Sequence, residues 1–154
     1  ELRDRVFAYS DPDSNSGWLV PQATIKQMGY APGHFFRKSF FTWSHRRVIE
    51  ACAAGLALGG AVDGYIWDTL ARQHPELTGA TRVAWRSDAY GFPPIVAAPG
   101  TSRARLGELR RALLGMESDA EGRRLLARLN LDGFVEGSPR LFDGIEQNWR
   151  FLEG

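Results

Sequence analysis

The sequence predicts an α/β protein with a mostly parallel sheet flanked by helices and a helical C-terminal tail. Three observations support this fold class. The chain has 154 residues, 44% of them hydrophobic, which is enough to enclose one core. Short apolar runs alternate with amphipathic stretches through the first half of the chain, as in successive strand–helix units. The last part of the chain carries only the apolar stripes of helices.

The first strand and the first helix are predicted near the N-terminus. Residues 6–9 form a short apolar run that stops at residues 11–13, Asp-Pro-Asp, so they indicate a buried strand that ends in a turn. A helix is predicted from Ser16 to a stop at Gly29. Its apolar residues at helical spacing are Leu19, Val20, Ala23 and Met28. Pro21 lies in the first turn, where its missing N–H costs little.

The next predicted elements are a loop, a strand and a helix. Residues 30–33 form the loop, and the aromatic-rich run at residues 36–43 suits a strand. Ser44 caps a second helix, which ends at residues 59–60, Gly-Gly. The apolar stripe of this helix consists of Val48, Cys52 and Leu56.

The remaining elements lead to a helical tail. A short strand over residues 61–65 and a helix over residues 67–77 precede two further strands, at residues 82–87 and 94–98. Residues 88–94 are the best candidate for a hinge or a lobe boundary. Three helices complete the chain, with stripes such as Leu106, Leu109 and Leu113 and Leu141, Ile145 and Trp149.

Composition excludes several classes of function. A net charge of +1 and a pI near 8.2 give no broad basic face for nucleic acid. Arg46 with Arg47, and Arg110 with Arg111, fit solvated helix faces better than contacts to a phosphate backbone. Cys52 is the only cysteine, which excludes an internal disulfide and a multi-cysteine zinc site. No apolar run approaches the roughly 20 residues of a membrane span. We also expect neither a metal nor a cofactor.

A loop rich in hydrogen-bond donors follows the first strand. Ser14, Asn15 and Ser16 are residue types that cap helices, and Gly17 lets the backbone approach a ligand closely. A helix start offers unpaired N–H groups and about half a positive charge, which suits an anion. The loop lacks the lysine of the nucleotide-binding GxxxxGK pattern. Taken alone, the loop fits an ordinary helix cap better than an anion site.

A second helix start with a donor lies at Ser44 and His45, where an imidazole is available to an oxyanion. A structural or solvent-exposed histidine is the competing interpretation. In a parallel sheet both strand-to-helix turns emerge at the same edge, where ligands bind. Asp63 and Tyr65 follow the next short strand near that edge. Three roles for Asp63 stay open: contact with a protonated oxyanion or a cationic substituent, orientation of His45, and capping of the next helix.

Signs of catalysis are few. His45 and Ser16 are a candidate base and nucleophile, but the sequence has no GxSxG elbow, pair of catalytic carboxylates or HExxH helix. Cys52 lies in an apolar helical stripe and is most simply part of the core. We therefore expect no enzyme activity and no catalytic residue.

With these residues in view, the chain resembles the phosphate-, phosphite- and phosphonate-binding proteins of bacterial ABC importers, which have the two-lobed periplasmic binding-protein fold. The matching runs, in the family's order, are VFAYSDPDSNSGWLVP, FTWSHRRVIEACAAGLALGGAVDGYIWDTL, RVAWRSDAYGFPPIVA and EGRRLLARLNLDGFV. The resemblance implies that Ser14, Asn15 and Ser16 hold the oxyanion, that His45 donates from the second helix, and that a hinged closure surrounds the ligand. It also implies ABC transporter membrane subunits as partners and a periplasmic or other extracytoplasmic location, with the signal peptide outside this chain.

Two departures from the family pattern refine the expected ligand. Carboxylates that lie near a ligand amine in some members align with Tyr65 and Pro93 here. We therefore expect a ligand without an amine: phosphate, phosphite or a small alkyl phosphonate. Trp43 with Ser44 replaces the family's Gly-Ser before the histidine, and we expect the bulky ring to reshape the cleft.

The chain is also much shorter than the proteins it resembles. We predict that residues 1–90 are the second lobe of a two-lobed binding protein. Residues 91–154 are then the mostly helical C-terminal return segment, which belongs to the first lobe. Half of the ligand cleft would lie outside the chain, and the exposed apolar surface favours dimerisation.

The resemblance therefore predicts the solute-binding component of an importer. Two alternatives stay open: a ligand-sensing domain of a signalling protein such as a histidine kinase, and an enzyme that reuses the same scaffold. A transmembrane helix and a kinase segment downstream would identify the sensor. Turnover that is abolished by His45→Ala would identify the enzyme.

Overall fold

The computed structural model describes all 154 residues. They divide into two compact units, one of Glu1–Tyr90 with Phe142–Gly154 and one of Gly91–Leu141. Three strands, all in the first unit, are β1 (Val6–Tyr9), β2 (Lys38–Phe41) and β3 (Gly59–Gly60). The helices are α1 (Val20–Gln27), α2 (Pro32–Phe35), α3 (His45–Ala53), α4 (Gly64–Gln73), α5 (Pro75–Thr78), α6 (Arg103–Leu114), α7 (Ala120–Leu129) and α8 (Asp143–Glu153).

β1 is the central strand of a wholly parallel sheet with the order β2-β1-β3. Val6 pairs with Lys38 at one end of the β1–β2 ladder, and Tyr9 pairs with Phe41 at the other. The strand is apolar along its whole length because helices cover a parallel sheet on both faces. The predicted fold class, a mostly parallel sheet flanked by helices, is confirmed.

Alternate residues of β1 face different helices. One face packs on α3 in a buried cluster formed by Ala8, Val48, Ala51 and Ala57. On the other face, the hydroxyl of Tyr9 accepts a hydrogen bond of 2.7 Å from Nε2 of Gln22 in α1. The ring of Phe7 stacks on Phe36, with centroids 4.2 Å apart. The strand that leads to the first turn is therefore held on both sides.

The third strand differs from its prediction. The helix that begins after Ser44 was expected to reach residues 59–60, but α3 ends at Ala53, and Gly55 turns the chain with φ +71°. Leu56 is consequently 67% exposed instead of continuing the apolar stripe. The strand expected at residues 61–65 lies earlier, at Gly59–Gly60.

Glycine at position 60 explains this placement of β3. A Cβ built on Gly60 would lie 2.3 Å from Cγ1 of Val48 and 2.9 Å from the carbonyl oxygen of Ala8. Only glycine therefore lets α3 pack closely while the chain pairs with β1. Because α4 begins at Gly64, Tyr65 lies in the first turn of a helix and not in a strand.

Smaller differences follow from local chemistry. The predicted loop at residues 30–33 is partly helical, because α2 begins at Pro32, a residue that suits a first helical turn. The single helix predicted over residues 67–77 is broken at His74 (φ −139°, ψ 59°), since the residue before Pro75 is kept out of the helical region.

The two strands predicted at residues 82–87 and 94–98 are absent, because neither segment has regular secondary structure. A strand needs the backbone hydrogen bonds of a neighbouring strand, and neither segment is part of the three-stranded sheet. Their apolar side chains are exposed; these are Val83, Trp85, Ile95 and Val96. The apolar pattern is present, but neither segment pairs with another strand of the chain.

The first segment of the first unit ends at Tyr90, within the stretch predicted to be a hinge. The second segment of this unit begins at Phe142. The domain prediction assigns α8 to the return segment, and in the structure this helix packs on α1. Nζ of Lys26 donates to the carbonyl oxygen of Phe151 at 2.7 Å and lies over its ring. A cation at the last carbonyls of a helix is favourable because it complements the helix dipole. Whether the two units correspond to the lobes of a longer protein stays a prediction.

The second unit, taken by itself, is mostly helical. Ser102 caps α6 by accepting the N–H of Arg105 at 3.3 Å, and Asp119 caps α7 by accepting the N–H of Gly122 at 2.9 Å. A Cβ at Gly122 would lie 2.0 Å from the carbonyl oxygen of Met116. The expected helical character of this part of the chain is therefore present.

Candidate functional site

Three turns of the first unit meet at the carboxyl edge of the sheet. They follow β1, β2 and β3 and lead into the helical turn at Asn15–Leu19, α3 and α4 respectively. Because the strands are parallel, all three turns emerge at one edge. The order β2-β1-β3 puts a topological switch point between β1 and β3, and ligands of open α/β sheets bind at such points.

The first turn presents a capping serine and a π-helical turn. Oγ of Ser14 accepts the N–H of Gly17 at 3.0 Å, so its own hydroxyl proton is left to donate. Residues Asn15–Leu19 form the π-helical turn, a conformation that is frequent at functional sites. Oδ1 of Asn15 is enclosed in the protein and has no hydrogen-bond partner. Folded proteins seldom leave a buried acceptor in that state.

Gly17 packs against the end of β1. A Cβ at this position would lie 1.8 Å from Oγ of Ser10 and 3.0 Å from Oγ of Ser14. The sequence predicts that the missing side chain of Gly17 makes room for a ligand. In the structure, the side chain of Ser10 occupies that space. Contact between Gly17 and a ligand stays a prediction.

The second turn carries Trp43 and Ser44. Trp43 has φ +61°, a costly conformation for a bulky side chain, and its side chain is 68% exposed. Ser44 occupies the cap position of α3, but its side chain makes no capping hydrogen bond, contrary to expectation. The backbone carbonyl oxygen of Ser44 accepts a hydrogen bond of 2.9 Å from the hydroxyl of Thr42. The first turn of α3 therefore keeps N–H groups that Ser44 does not satisfy.

His45 is oriented by a backbone group of the third turn. Nδ1 of His45 accepts the backbone N–H of Asp63 at 3.2 Å. The imidazole must therefore carry its proton on Nε2, which makes Nε2–H the donor that is available to a ligand. Burial lowers the pKa of His45, and the carboxylates of Asp63 and Asp11 partly offset that effect. Both observations describe a neutral histidine that donates from Nε2.

The carboxylate of Asp63 joins the third turn to the first. Oδ1 accepts the N–H groups of Tyr65 at 3.0 Å and Ile66 at 3.3 Å, so Asp63 caps α4. Oδ2 accepts the hydroxyl of Ser16 at 3.2 Å. A carboxylate accepts only, so Ser16 is the donor and its remaining lone pairs are free to accept. We call the connected side chains of Ser16, His45 and Asp63 the Asp63 network.

The structure thus brings the predicted site residues together at one edge. Ser16, His45 and Asp63 are joined by hydrogen bonds across three separate turns. The other predicted residues adjoin them in the chain: Ser14, Asn15 and Gly17 in the first turn, Ser44 beside His45, and Tyr65 in the first turn of α4. Of the three roles open for Asp63, capping of α4 and orientation of His45 are both present.

Asp11 is a residue of the site that the sequence interpretation treated only as part of a turn. Its Oδ1 accepts the N–H of Asp13 at 3.0 Å, and its Oδ2 accepts the hydroxyl of Ser10 at 3.3 Å. It also acts electrostatically on His45. The only signal in the sequence was a carboxylate at the end of a strand, which is common in turns.

Two kinds of feature are absent from the structure. No group of three or more His, Cys, Asp or Glu side chains is arranged to hold a metal ion. None of the helices combines the length and the apolar character that crossing a membrane requires.

Comparison with known proteins decides the family. The sequence profile described as "ABC transporter, phosphonate, periplasmic substrate-binding protein" matches residues 1–142. The chain belongs to this family. Members are periplasmic substrate-binding proteins of ABC transporters. The resemblance inferred from the sequence is therefore confirmed.

Individual relatives agree with this assignment. A probable ABC transporter phosphite-binding protein, PhnD1 of Prochlorococcus marinus (strain MIT 9301), is 24% identical over 99% of this chain and 53% of its own length. The structure of PhnD1 in complex with methylphosphonate matches with a TM-score of 0.82, over 99% of this chain and 58% of the other. A binding-protein component of an ABC phosphonate transporter from Pseudomonas aeruginosa matches with a TM-score of 0.81 at 21% identity, over 99% of this chain and 50% of the other. The chain thus has the fold of periplasmic binding proteins and spans about half the length of these relatives.

Proposed function

We propose that this chain is part of the solute-binding component of an ABC importer and binds a small phosphorus oxyanion at the carboxyl edge of its sheet. The single observation that carries the site is the hydrogen bond between Nδ1 of His45 and the N–H of Asp63. It leaves Nε2–H as the donor of a neutral His45 at the first residue of α3, on the sheet edge where α/β proteins bind ligands.

The groups around this donor suit a tetrahedral anion. Ser14 has an uncommitted hydroxyl proton, because its oxygen already accepts the N–H of Gly17. The N-terminus of α3 adds about half a positive charge, and Ser44 leaves its first-turn N–H groups uncapped. Asn15 contributes an amide whose oxygen has no partner within the chain. We propose ligand contacts for all eight predicted residues, namely Ser14, Asn15, Ser16, Gly17, Ser44, His45, Asp63 and Tyr65.

The ligand is proposed to lack an amine. Tyr65 and Pro93 stand where some family members have carboxylates near a ligand amine, and neither side chain is a carboxylate. Phosphate, phosphite and small alkyl phosphonates remain. The names of the relatives support the same group of ligands, since one is a phosphite-binding protein and one structure holds methylphosphonate.

The proposed partners and location follow from the family. We propose ABC transporter membrane subunits as partners and a periplasmic or other extracytoplasmic location. Because the relatives are about twice as long, we also propose that a second lobe completes the cleft by hinged closure. The exposed apolar residues Val83 and Trp85 then contact that lobe, or a second copy of this chain when the lobe is missing.

The geometry of the Asp63 network argues against catalysis. In a serine hydrolase the nucleophilic hydroxyl donates to the imidazole, which removes its proton. Here the hydroxyl of Ser16 donates to the carboxylate of Asp63, and Nδ1 of His45 is occupied by a backbone N–H. The imidazole is therefore not placed to remove the proton of Ser16 as in that mechanism, and we propose a binding protein. A sensor domain would share this binding step, but the family supports a transport protein.

Isothermal titration calorimetry of this chain together with the proposed second lobe, using phosphate, phosphite and methylphosphonate, tests the proposal. At least one of these ligands should bind, and His45→Ala and Ser16→Ala should each weaken binding by roughly 1.5–3 kcal/mol, the value of a hydrogen bond to a charged group. His34→Ala, at an exposed histidine of α2, is the matched control and should leave the affinity unchanged. The proposal is overturned if none of the three ligands binds. It is also overturned if His45→Ala and Ser16→Ala both bind as tightly as the unmodified protein.

A further inference from the structure

We infer that the Asp63 network makes the site specific for an oxyanion that carries one proton, such as the monoanion of methylphosphonate, over a fully deprotonated oxyanion of the same shape and charge. This inference rests on the proposed function and names the chemical form of its ligand. It follows from the directions of the hydrogen bonds inside the network and not from its net charge.

Ser16 is the residue that distinguishes a protonated ligand oxygen from a deprotonated one. Its single hydroxyl proton is committed to Oδ2 of Asp63 at 3.2 Å, so toward any other partner its oxygen is an acceptor. A deprotonated P–O⁻ oxygen next to this hydroxyl would meet lone pairs and gain no hydrogen bond. A P–OH group would donate to it. A polar site rejects a ligand that leaves its groups unpaired more strongly than it rewards an extra contact.

The network cannot easily reverse this direction. Oδ1 of Asp63 already accepts two backbone N–H groups at the start of α4, which holds the carboxylate in one orientation. The backbone N–H of the same residue is bound to Nδ1 of His45, so the imidazole is held as a donor through Nε2. The site therefore offers donors from Ser14 and His45 and an acceptor from Ser16. That pattern matches an anion with deprotonated oxygens and one hydroxyl.

A change of ligand protonation can be separated from titration of the site. The other titratable groups that act on His45 are Asp63 from the third turn and Asp11 from the first. Burial lowers the pKa of His45, so the imidazole stays neutral when the pH rises. A loss of affinity as the pH rises through the second ionisation of the ligand would therefore report the proton on the ligand.

Methanesulfonate is the matched probe for this inference. It has the shape and the single negative charge of the methylphosphonate monoanion, but its three oxygens carry no proton. At a pH below the second ionisation of methylphosphonate, this chain together with the proposed second lobe should bind methylphosphonate at least about 10-fold more tightly than methanesulfonate, the effect of one hydrogen bond to a charged group. The affinity for methylphosphonate should fall when the pH is raised above that ionisation.

Asp63→Asn tests the role of the carboxylate, because asparagine still caps a helix. Its Oδ1 can accept the N–H groups of α4, while its Nδ2 would donate to Ser16 and release the hydroxyl proton toward the ligand. The preference for methylphosphonate over methanesulfonate should then shrink by about 10-fold or reverse. Ser16→Ala, which removes the hydroxyl, should weaken the binding of methylphosphonate without strengthening the binding of methanesulfonate. A thermal unfolding curve for each variant establishes that it is folded.

The outcomes distinguish this inference from the proposed function. Tight binding of methylphosphonate with equal binding of methanesulfonate overturns the inference alone, as does a selectivity that Asp63→Asn leaves unchanged. Absence of methylphosphonate binding at every pH overturns the inference, and the proposed function falls with it only if phosphate and phosphite also fail to bind. A merely structural role for Asp63 would lower the affinity for both anions together and leave their ratio constant.

Discussion

The hydroxyl of Ser16 donates to Oδ2 of Asp63 at 3.2 Å, although 47 residues separate them in the chain. This bond joins the turn after β1 to the start of α4, across the switch point between β1 and β3. The same aspartate holds His45 through its backbone N–H. Asp63 therefore connects the three turns that surround the proposed ligand site at the sheet edge.

The first prediction concerns the stability that Asp63 provides. Asp63→Ala removes the cap of α4 and the partner of Ser16, so the free energy of unfolding should fall by about 1–2 kcal/mol. Asp63→Asn keeps the cap and should lose much less. Urea denaturation of both variants measures the difference.

Asp68→Ala is the matched control, because it removes an aspartate of the same helix whose partner is the exposed Arg86. Its effect should stay within about 0.5 kcal/mol, as for other surface ion pairs. Equal losses in Asp63→Ala and Asp68→Ala would mean that the cap and the Ser16 bond add nothing to stability.

The second prediction concerns the pH dependence of stability. Burial lowers the pKa of His45 in the folded chain below the value of about 6.5 in the unfolded chain. The unfolded state therefore takes up the proton first as the pH falls. The contribution of His45 is complete above about pH 6.5 and is lost as the pH falls from there toward the folded pKa.

Urea unfolding at a series of pH values from neutral into the acid range measures this loss. His45→Gln, which cannot be protonated, should show a shallower fall of the free energy of unfolding than the unmodified chain. His34→Gln, at an exposed position, serves as the control. An identical slope for the unmodified chain and His45→Gln would contradict the geometry given for His45.

The third prediction concerns the packing of Gly17. Gly17→Ala would bring a methyl group within 1.8 Å of Oγ of Ser10, so it should destabilise the chain by about 1–3 kcal/mol, the usual cost of overpacking. Gly33→Ala is the matched control, since a Cβ at Gly33 meets no atom within 4 Å. Thermal unfolding of the two variants, together with the double variant Ser10→Gly with Gly17→Ala, separates the clash from a general glycine effect. A double variant as unstable as Gly17→Ala would show that Ser10 is not the obstacle.

The fourth prediction concerns self-association. Trp85 is 60% exposed in a segment that has an apolar strand pattern but no strand partner. We expect the chain to form dimers at high concentration, and Trp85→Ser to reduce the dimer fraction in sedimentation velocity. Met28→Ser changes an equally exposed apolar residue elsewhere and should have little effect. A chain that stays monomeric at all concentrations would argue against the apolar segment as a contact surface.

The sequence predicted those parts of the fold that have a side-chain signature. β1 was found because Val6–Tyr9 is an apolar run that ends at a turn, and the helix starts after β1 and β2 were found from capping residue types. β3 was misplaced because Gly59 and Gly60 have no side chain that signals a strand. Its position depends on how closely Val48 packs, which is a tertiary property.

The candidate site was predicted in the same uneven way. The residue types at Ser14, Ser16, His45 and Asp63 were identified, but their connections were not. The group that fixes the tautomer of His45 is a backbone N–H, and every non-proline residue has one. The segments at residues 82–87 and 94–98 failed as strands because a strand requires a partner, which no local pattern reveals.

The side-chain resonances of His45 report which ring nitrogen carries the proton and whether that nitrogen contacts a ligand. In a ¹⁵N-labelled chain, long-range ¹H–¹⁵N correlation spectra distinguish the two ring nitrogens during a titration with methylphosphonate. We predict a bare Nδ1 and a protonated Nε2 before ligand is added. During the titration, the Nε2–H signal should show a saturable shift together with the backbone amides of Ser14, Asn15 and Ser16. Ring signals of His45 that show a proton on Nδ1, or that do not move while methylphosphonate binds, would contradict it.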